Sequence, residues 1–501
     1  MGNAHKNKNE RLKYWLFGLI LLMLVLPSLQ ARFNFIGEAP LTGSFVATGK
    51  PDPGLFTRAE WLNGKFQEEF NTRTENHIGF RNSLVRLNNQ FDFSLFRKAN
   101  AEGVIVGKNG ELFEEDYIKE AVGLYFIGEN TWQKKAAQLR AVQDTLAKMG
   151  KTLAVILEPG KATFYPDLLP RKYRTVPQLP SNYSQMLHHF GAQGINVLDL
   201  DEFFRTKRNS ATYPLFPKGG THWSYYGAVL AADTTLSYLS QLSGFSLPDM
   251  KIDEIKELDT IRHPDYDIGL AMNLIFPMRQ PGLGYPVFSF SGNDSGKRPD
   301  ALIVGDSFYF NWLNDQITPS AFGNCDFWYY NNNITRCDYV QDGKTSDKNF
   351  REEIMKRDII LIMITGRFHH AFAWNFDEQL YQLFFPGNEN PEWFFENQIR
   401  VYDQGFKKLV DEAIAMNIST EQRIKQEAEY LFYKDASENP DKYTRRNDLI
   451  KLSMMGIRNT PEWMEKIREK ARNNNISEEE QLRRDAEWIA DEKIRSRNQQ
   501  L

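Results

Sequence analysis

Short uncharged runs, separated by segments of helical period, constrain this chain more than anything else in it. Residues 152–157, 195–198, 301–304 and 359–364 are each aliphatic-rich and free of charge. Runs this short and this apolar read as strands buried on both faces. Between them, residues 130–149, 181–191 and 228–242 repeat their apolar positions at helical spacing. A further strand and tight turn is expected over 104–110. Strands alternating with helices predict an α/β fold, a parallel sheet with helices on both faces. In such sheets the working groups gather beyond the carboxyl ends of the strands. Glu158, Asp199, Asp201, Ser307, Arg367, His369 and His370 all follow predicted strands.

The segment Ala301-Leu302-Ile303-Val304-Gly305-Asp306-Ser307-Phe308 passes from strand to helix start. A serine on such a turn stands clear of the sheet, and the N–H groups around it point one way, as at any helix N-terminus. That sets a nucleophile beside an oxyanion site. The bland alternative is a βα turn capped by Asp306 or Ser307. A second segment, Lys218-Gly219-Gly220-Thr221-His222-Trp223, holds a histidine between glycines and large aromatics. Its imidazole is a candidate base for Ser307. The alternative is a core histidine near the start of the next helix. Adjacent His369 and His370 offer a replacement base. They do not make a metal site, because no ligand spacing supports one.

At 501 residues, with 41% hydrophobic and 25% charged residues, the chain exceeds one ordinary domain and can bury a large core. Its net charge of −4, without a basic stripe beyond the N-terminus, speaks against nucleic acid. Lys6, Lys8, Arg11 and Lys13 form a basic tail, residues 1–13. An apolar stretch follows, 14–30, which reads as a single-pass anchor with the basic flank inside the cell. The alternative is a signal peptide cut after Ala31, but Leu29 makes a poor cleavage site. Residues 31–100 are expected to be a juxtamembrane helical region, with turns at Pro51, Pro53 and Gly54 and with Arg73, Arg81 and Arg86 on a solvated face. In an oxidising compartment Cys325 and Cys337 could close a hairpin with an Asn-rich turn.

Residues 386–501 are polar and helical, and they contain a repeat. Asn417, Ile418 and Ser419 recur as Asn475, Ile476 and Ser477, an offset of 58 that many flanking positions share. Each copy reads as a helical hairpin whose second helix opens with a capping box. Two copies are too few to stand alone, so they should pack on the core or on a partner.

Thr221-His222-Trp223-Ser224, then Gly305-Asp306-Ser307 far downstream, resembles the SGNH-hydrolase-like acyltransferases of the AlgJ, AlgX and DHHW type. The strand and turn at 104–113 and the segment with Pro159, Lys161, Tyr165 and Pro166 are similar too, and Arg367 stands where that family has an arginine. The resemblance implies an SGNH-like domain over residues 101–385. It implies a cell-envelope protein, in the inner membrane with its bulk in the periplasm, that acetylates a polysaccharide hydroxyl through an acyl-serine. Ser307 would be the nucleophile and His222 the base, with Asp306 and Arg367 at the oxyanion and substrate. No cofactor is called for. The acyl donor would be an integral-membrane partner of the MBOAT kind. The family's aspartate two residues before the histidine is Gly220 here. Glu158, Asp199 and Asp201 are the candidate substitutes. The alternatives are a carbohydrate acetyl esterase of the same fold, or a catalytically inactive glycan-binding or scaffold subunit of an export complex.

Overall fold

A computed structural model of the chain describes residues 2–43, 57–174, 180–258, 261–280, 282–291, 297–387 and 390–498. The turns expected at 51–54 lie outside them. The strands are β1 (Val104–Val106), β2 (Leu112–Glu114), β3 (Thr152–Glu158), β4 (Val197–Asp199), β5 (Asp249–Glu257) and β6 (Gly284–Ser291). They continue as β7 (Ala301–Gly305), β8 (Cys325–Tyr329), β9 (Asn333–Arg336), β10 (Gln341–Lys344) and β11 (Ile359–Thr365).

Seven strands form the central sheet, in the order β10-β9-β8-β7-β11-β3-β4. From β8 to β4 neighbours are parallel, while β9 and β10 are antiparallel additions at one edge. The sheet is therefore mixed rather than wholly parallel. The hairpin of β8 and β9 has a tight return, which a parallel strand could not use. Its ends are tied by the Cys325–Cys337 disulfide, with the Cα atoms 5.3 Å apart.

Period two explains the uncharged runs. Ala301 and Ile303 of β7, with Ile359, Leu361 and Met363 of β11, enter one apolar cluster with the helix Tyr225–Ser243. Leu302, Val304, Ile360, Ile362 and Ile364 enter the opposite cluster, under the helices Glu129–Lys148 and Asn182–Gln193. With both faces covered, no position on these strands can be polar until they end. The ends of β3 and β11 are level, Glu158 opposite Thr365. Gly305 ends β7 beside them, so Asp306 and Ser307 emerge at the same edge.

At the N-terminus a helix runs Gly2–Phe33, and its 23-residue segment Arg11–Phe33 contains an 18-residue window of mean hydropathy 1.9, none of that window buried. That is long and apolar enough to cross a membrane. The helices Lys65–His77 and Arg81–Phe96 follow, with their turn against its end: Gly79 N–H donates to Pro27 O at 3.2 Å. Arg86 is not merely solvated, since its guanidinium donates to the carbonyls of Ala39 and Pro40. At the other end, helices Asp403–Met416 and Thr420–Glu438 form one hairpin, and Pro461–Asn474 and Glu478–Asn498 form the other. Asn417 and Asn475 take the left-handed conformation at equivalent turns, with φ of 53° and 52°. The first hairpin packs Phe406, Leu409 and Ile424 into the sheet's second cluster, whereas the other builds a separate core with Leu449, Ile457 and Ile467.

Candidate active site

Ser307 stands on the turn between β7 and the helix Tyr309–Asn314. The turn is shaped by Asp306, which is fully buried. Its Oδ1 accepts from Phe308 N–H at 3.0 Å, and its Oδ2 accepts from Thr365 N–H at 3.0 Å and Thr365 Oγ1 at 2.7 Å. These donors lock the ends of β7 and β11 together. They also correct the role expected for Asp306. An acceptor cannot stabilise an oxyanion, and here it removes the Phe308 N–H from that task. The N–H groups of Tyr309 and Phe310 are spent on Asp306 O and Ser307 O. Among the described residues, the Ser307 N–H at this turn has no such partner.

His222 reaches Ser307 from the loop before the helix Tyr225–Ser243. Its Nε2 lies 2.8 Å from Ser307 Oγ, and its Nδ1 lies 2.7 Å from Asp267 Oδ2. Asp267 is held in turn, its Oδ1 accepting from the N–H groups of Thr221 at 2.9 Å and Ile268 at 2.7 Å. The three side chains thus form one hydrogen-bonded line at a partly open edge. Burial works against a charged His222, but the hydrogen bond and charge of Asp267 outweigh it, so the ring's pKa is raised above its ordinary value. Burial also opposes charge on Asp267, yet the bonds from His222, Thr221 and Ile268 hold its pKa below the usual carboxylate value.

Lys161 fixes the histidine loop. Its buried ammonium donates to the carbonyls of Pro217, Lys218 and Gly220 at 2.6, 3.0 and 2.9 Å, and pairs with Glu111 at 2.9 Å. Gly219 is required here: a Cβ would meet the ring of Tyr266 at 2.5 Å. That close approach lets the short helix Asp267–Ala271 dock on the loop, with Gly269 N–H on Gly219 O at 2.8 Å. Trp223 stacks on Trp312 behind the site, with ring centres 5.4 Å apart.

The expected substitutes for the missing acid serve elsewhere. Asp199 caps the helix Leu200–Lys207 and accepts from Tyr183 Oη at 2.6 Å. Asp201 accepts from Gly160 N–H and Thr163 Oγ1. Glu158 is buried against Asp306, and neither of its oxygens has a donor among the described residues. Burial and the Asp306 charge push its pKa well up. It also lines a cavity of about 40 Å³ together with Glu120, Asp201 and His369. Arg367 is bound to Glu114 at 2.7 Å and lies 3.4 Å from Asp116. His370 is buried with its ring stacked on Phe406 at 4.0 Å, and burial lowers its pKa to about 3. His369 is buried beside Glu120. Neither histidine replaces His222. Among the described residues no group of three or more His, Cys, Asp or Glu could hold a metal.

Residue 267 is the member that sequence reasoning missed. It begins a helix of five residues, too short for a periodic signal. The one trace in the sequence is an acid directly before the apolar Ile268, a common helix start.

Residues 104–260 match the family model of the SGNH hydrolase-like domain of acetyltransferase AlgX. The chain is 28% identical over 210 residues to the probable alginate O-acetylase AlgJ of Pseudomonas putida, covering 42% of this chain and 52% of that protein. With the protein of the same name from Pseudomonas aeruginosa it shares 29% over 185 residues, 36% of this chain and 45% of the other. It thus spans about half the length of the curated relatives it matches. Among solved structures, the O-acetyltransferase domain of Pseudomonas putida AlgJ aligns with a TM-score of 0.37 and 17% identity, over 56% of this chain and 99% of that one. Pseudomonas aeruginosa AlgX aligns at 0.39 and 16%, over 56% and 66%. The chain resembles the SGNH-hydrolase-like acyltransferase family of AlgJ and AlgX, and residues 104–260 are its SGNH hydrolase-like segment.

Proposed function

We propose, starting from an SGNH hydrolase-like segment of the AlgX kind, that this chain is a membrane-anchored cell-envelope O-acyltransferase which acetylates a polysaccharide. The carrying observation is the line from Asp267 through His222 to Ser307, with bonds of 2.7 and 2.8 Å. In the first half-reaction Ser307 Oγ attacks the acyl carbonyl and His222 Nε2 takes its proton. Asp267 keeps the other ring proton on Nδ1 and stabilises the imidazolium. The Ser307 N–H faces the developing oxyanion. His222 then protonates the leaving group, and the acyl group stays on Ser307. In the second half a glycan hydroxyl gives its proton to His222 and attacks the acyl-serine. The ester leaves on the sugar, and Oγ recovers the proton.

The names of the relatives, probable alginate O-acetylases, support a polysaccharide acceptor. The apolar helix Arg11–Phe33 supports an anchor in the inner membrane, with the sheet domain in the periplasm. An acyl donor at that face calls for an integral-membrane partner of the MBOAT kind. Gly220 leaves the family's aspartate position empty, which favours an inactive scaffold, but Asp267 supplies a carboxylate from another direction. The test is acetate release from an activated aryl acetate by the full chain. The wild type should turn over and form a covalent acetyl adduct visible in the intact mass, and Ser307→Ala should do neither. A folded wild type without turnover or adduct would return the chain to the scaffold reading.

A further inference from the structure

The helix Arg81–Phe96 is packed inside out. Amphipathic helices of soluble proteins bury their apolar stripe and show polar residues to water. Here Leu84, Leu87, Phe91 and Leu95, spaced along one stripe, are exposed by 47, 57, 55 and 62%. The inward face carries Asn89, whose Nδ2 donates to Met272 O at 2.9 Å, and one apolar anchor, Phe93, against Ile268 and Met272. Gln90 holds the N–H of Phe276 at 3.0 Å, and Phe276 is itself 71% exposed. An outward apolar stripe of this size marks a surface that is covered in use.

The position of the helix says by what. Its first turn sits on the end of the Arg11–Phe33 segment, through Gly79 N–H on Pro27 O and the ring of Phe80 5.9 Å from Phe35. A Cβ at Gly79 would run into the Pro27 carbonyl and the Ala31 nitrogen, so the approach is close by construction. Glu38 then receives the N–H and Oγ of Ser83, at 2.8 and 2.6 Å. The stripe therefore starts beside the C-terminal turns of the apolar segment, and Arg97 and Lys98 follow it. A Leu- and Phe-faced helix with flanking basic residues in that place has the composition of an interfacial helix.

We propose that the helix Arg81–Phe96 lies in the surface of the bilayer, with Leu84, Leu87, Phe91 and Leu95 in lipid. This rests on the reading of Arg11–Phe33 as a span. Its inner face holds the short helix Asp267–Ala271, so the site would be carried about one helix diameter, ~10 Å, above the lipid. A donor group emerging at the membrane would then have only a short rise to Ser307.

Spin labels test it in the full chain, in vesicles of phosphatidylethanolamine and phosphatidylglycerol. Single substitutions Leu21→Cys, Leu87→Cys, Phe91→Cys and Lys251→Cys are all at exposed positions, and Cys325 and Cys337 are bonded to each other and take no label. Collision with oxygen, which concentrates in lipid, is compared with collision with a water-soluble nickel chelate. The expected oxygen-to-chelate ratio at positions 87 and 91 is several-fold that at 251 and approaches that at 21. If 21 reads lipid while 87 and 91 read water, the interfacial helix is overturned and the anchor stands. If 21 reads water, the anchor itself fails and the proposal with it. If 87 and 91 are shielded from both reagents, a protein covers the stripe, a second copy or a membrane partner, and the lipid assignment is overturned.

Discussion

Asp267 does for His222 what a carboxylate two residues upstream was expected to do. It acts from a separate segment, and an asparagine there keeps an oxygen to accept from Thr221 N–H in the histidine loop. Asp267→Asn should keep the fold and lower kcat on an aryl acetate by about 10²–10⁴-fold, since the amide sets the wrong tautomer and cannot stabilise imidazolium. The pH profile carries the sign. His222 works as a base only when neutral, and Asp267 raises its pKa above the ordinary imidazole value. Activity should therefore rise with pH through a midpoint above that of a free histidine. In Asp267→Asn the midpoint should move down. Glu158 makes a different prediction. Burial and the Asp306 charge favour its neutral form, so Glu158→Gln should preserve activity and remove the infrared carbonyl stretch of a buried carboxylic acid. Activity lost in Glu158→Gln, with the fold intact, would mean that its charge is needed. Ser307 and His222 were legible because glycines and large apolar neighbours mark tight turns. Asp267 was not, because its pairing is set by docking between the loop and a five-residue helix.

Elements were readable in proportion to how completely they are buried. β7 and β11 stand out as uncharged runs because both faces are covered, and no loop can imitate that. The pair β5 and β6 is exposed along most of its length, and a register shift between Ile252 and Glu254 breaks the alternation that would have marked β5. Lys161 could be placed in a motif but given no task, because its partners are backbone carbonyls, which no sequence displays. Lys161→Met would leave three carbonyls and Glu111 unpaired in the interior. The loss should be about 3–5 kcal/mol, read as a lower denaturant midpoint. Acetate release should fall as well, since the same loop carries His222.

At the scale of the whole molecule the C-terminal helices divide. Phe406, Leu409 and Ile424 complete a cluster under the sheet, whereas the core around Ile457 and Ile467 is its own. A chain ending at residue 445 should keep acetate release within about twofold, because surface units far from a site act nearly independently of it. A chain ending at residue 402 should lose soluble expression. Opening the Cys325–Cys337 bridge by Cys337→Ser should cost about 3 kcal/mol, measured by denaturation without reductant, as expected for a loop of this length.

The strand order has one more consequence. β11 lies between β7 and β3, yet it arrives last along the chain. Until Ile359–Thr365 has appeared, β3 lacks its inner neighbour, and the carboxylate that clamps the serine turn has no threonine to grip. A polypeptide threaded through a membrane from its N-terminus would thus stay chemically silent for most of its passage, and arm itself only once the whole catalytic unit had reached the far side.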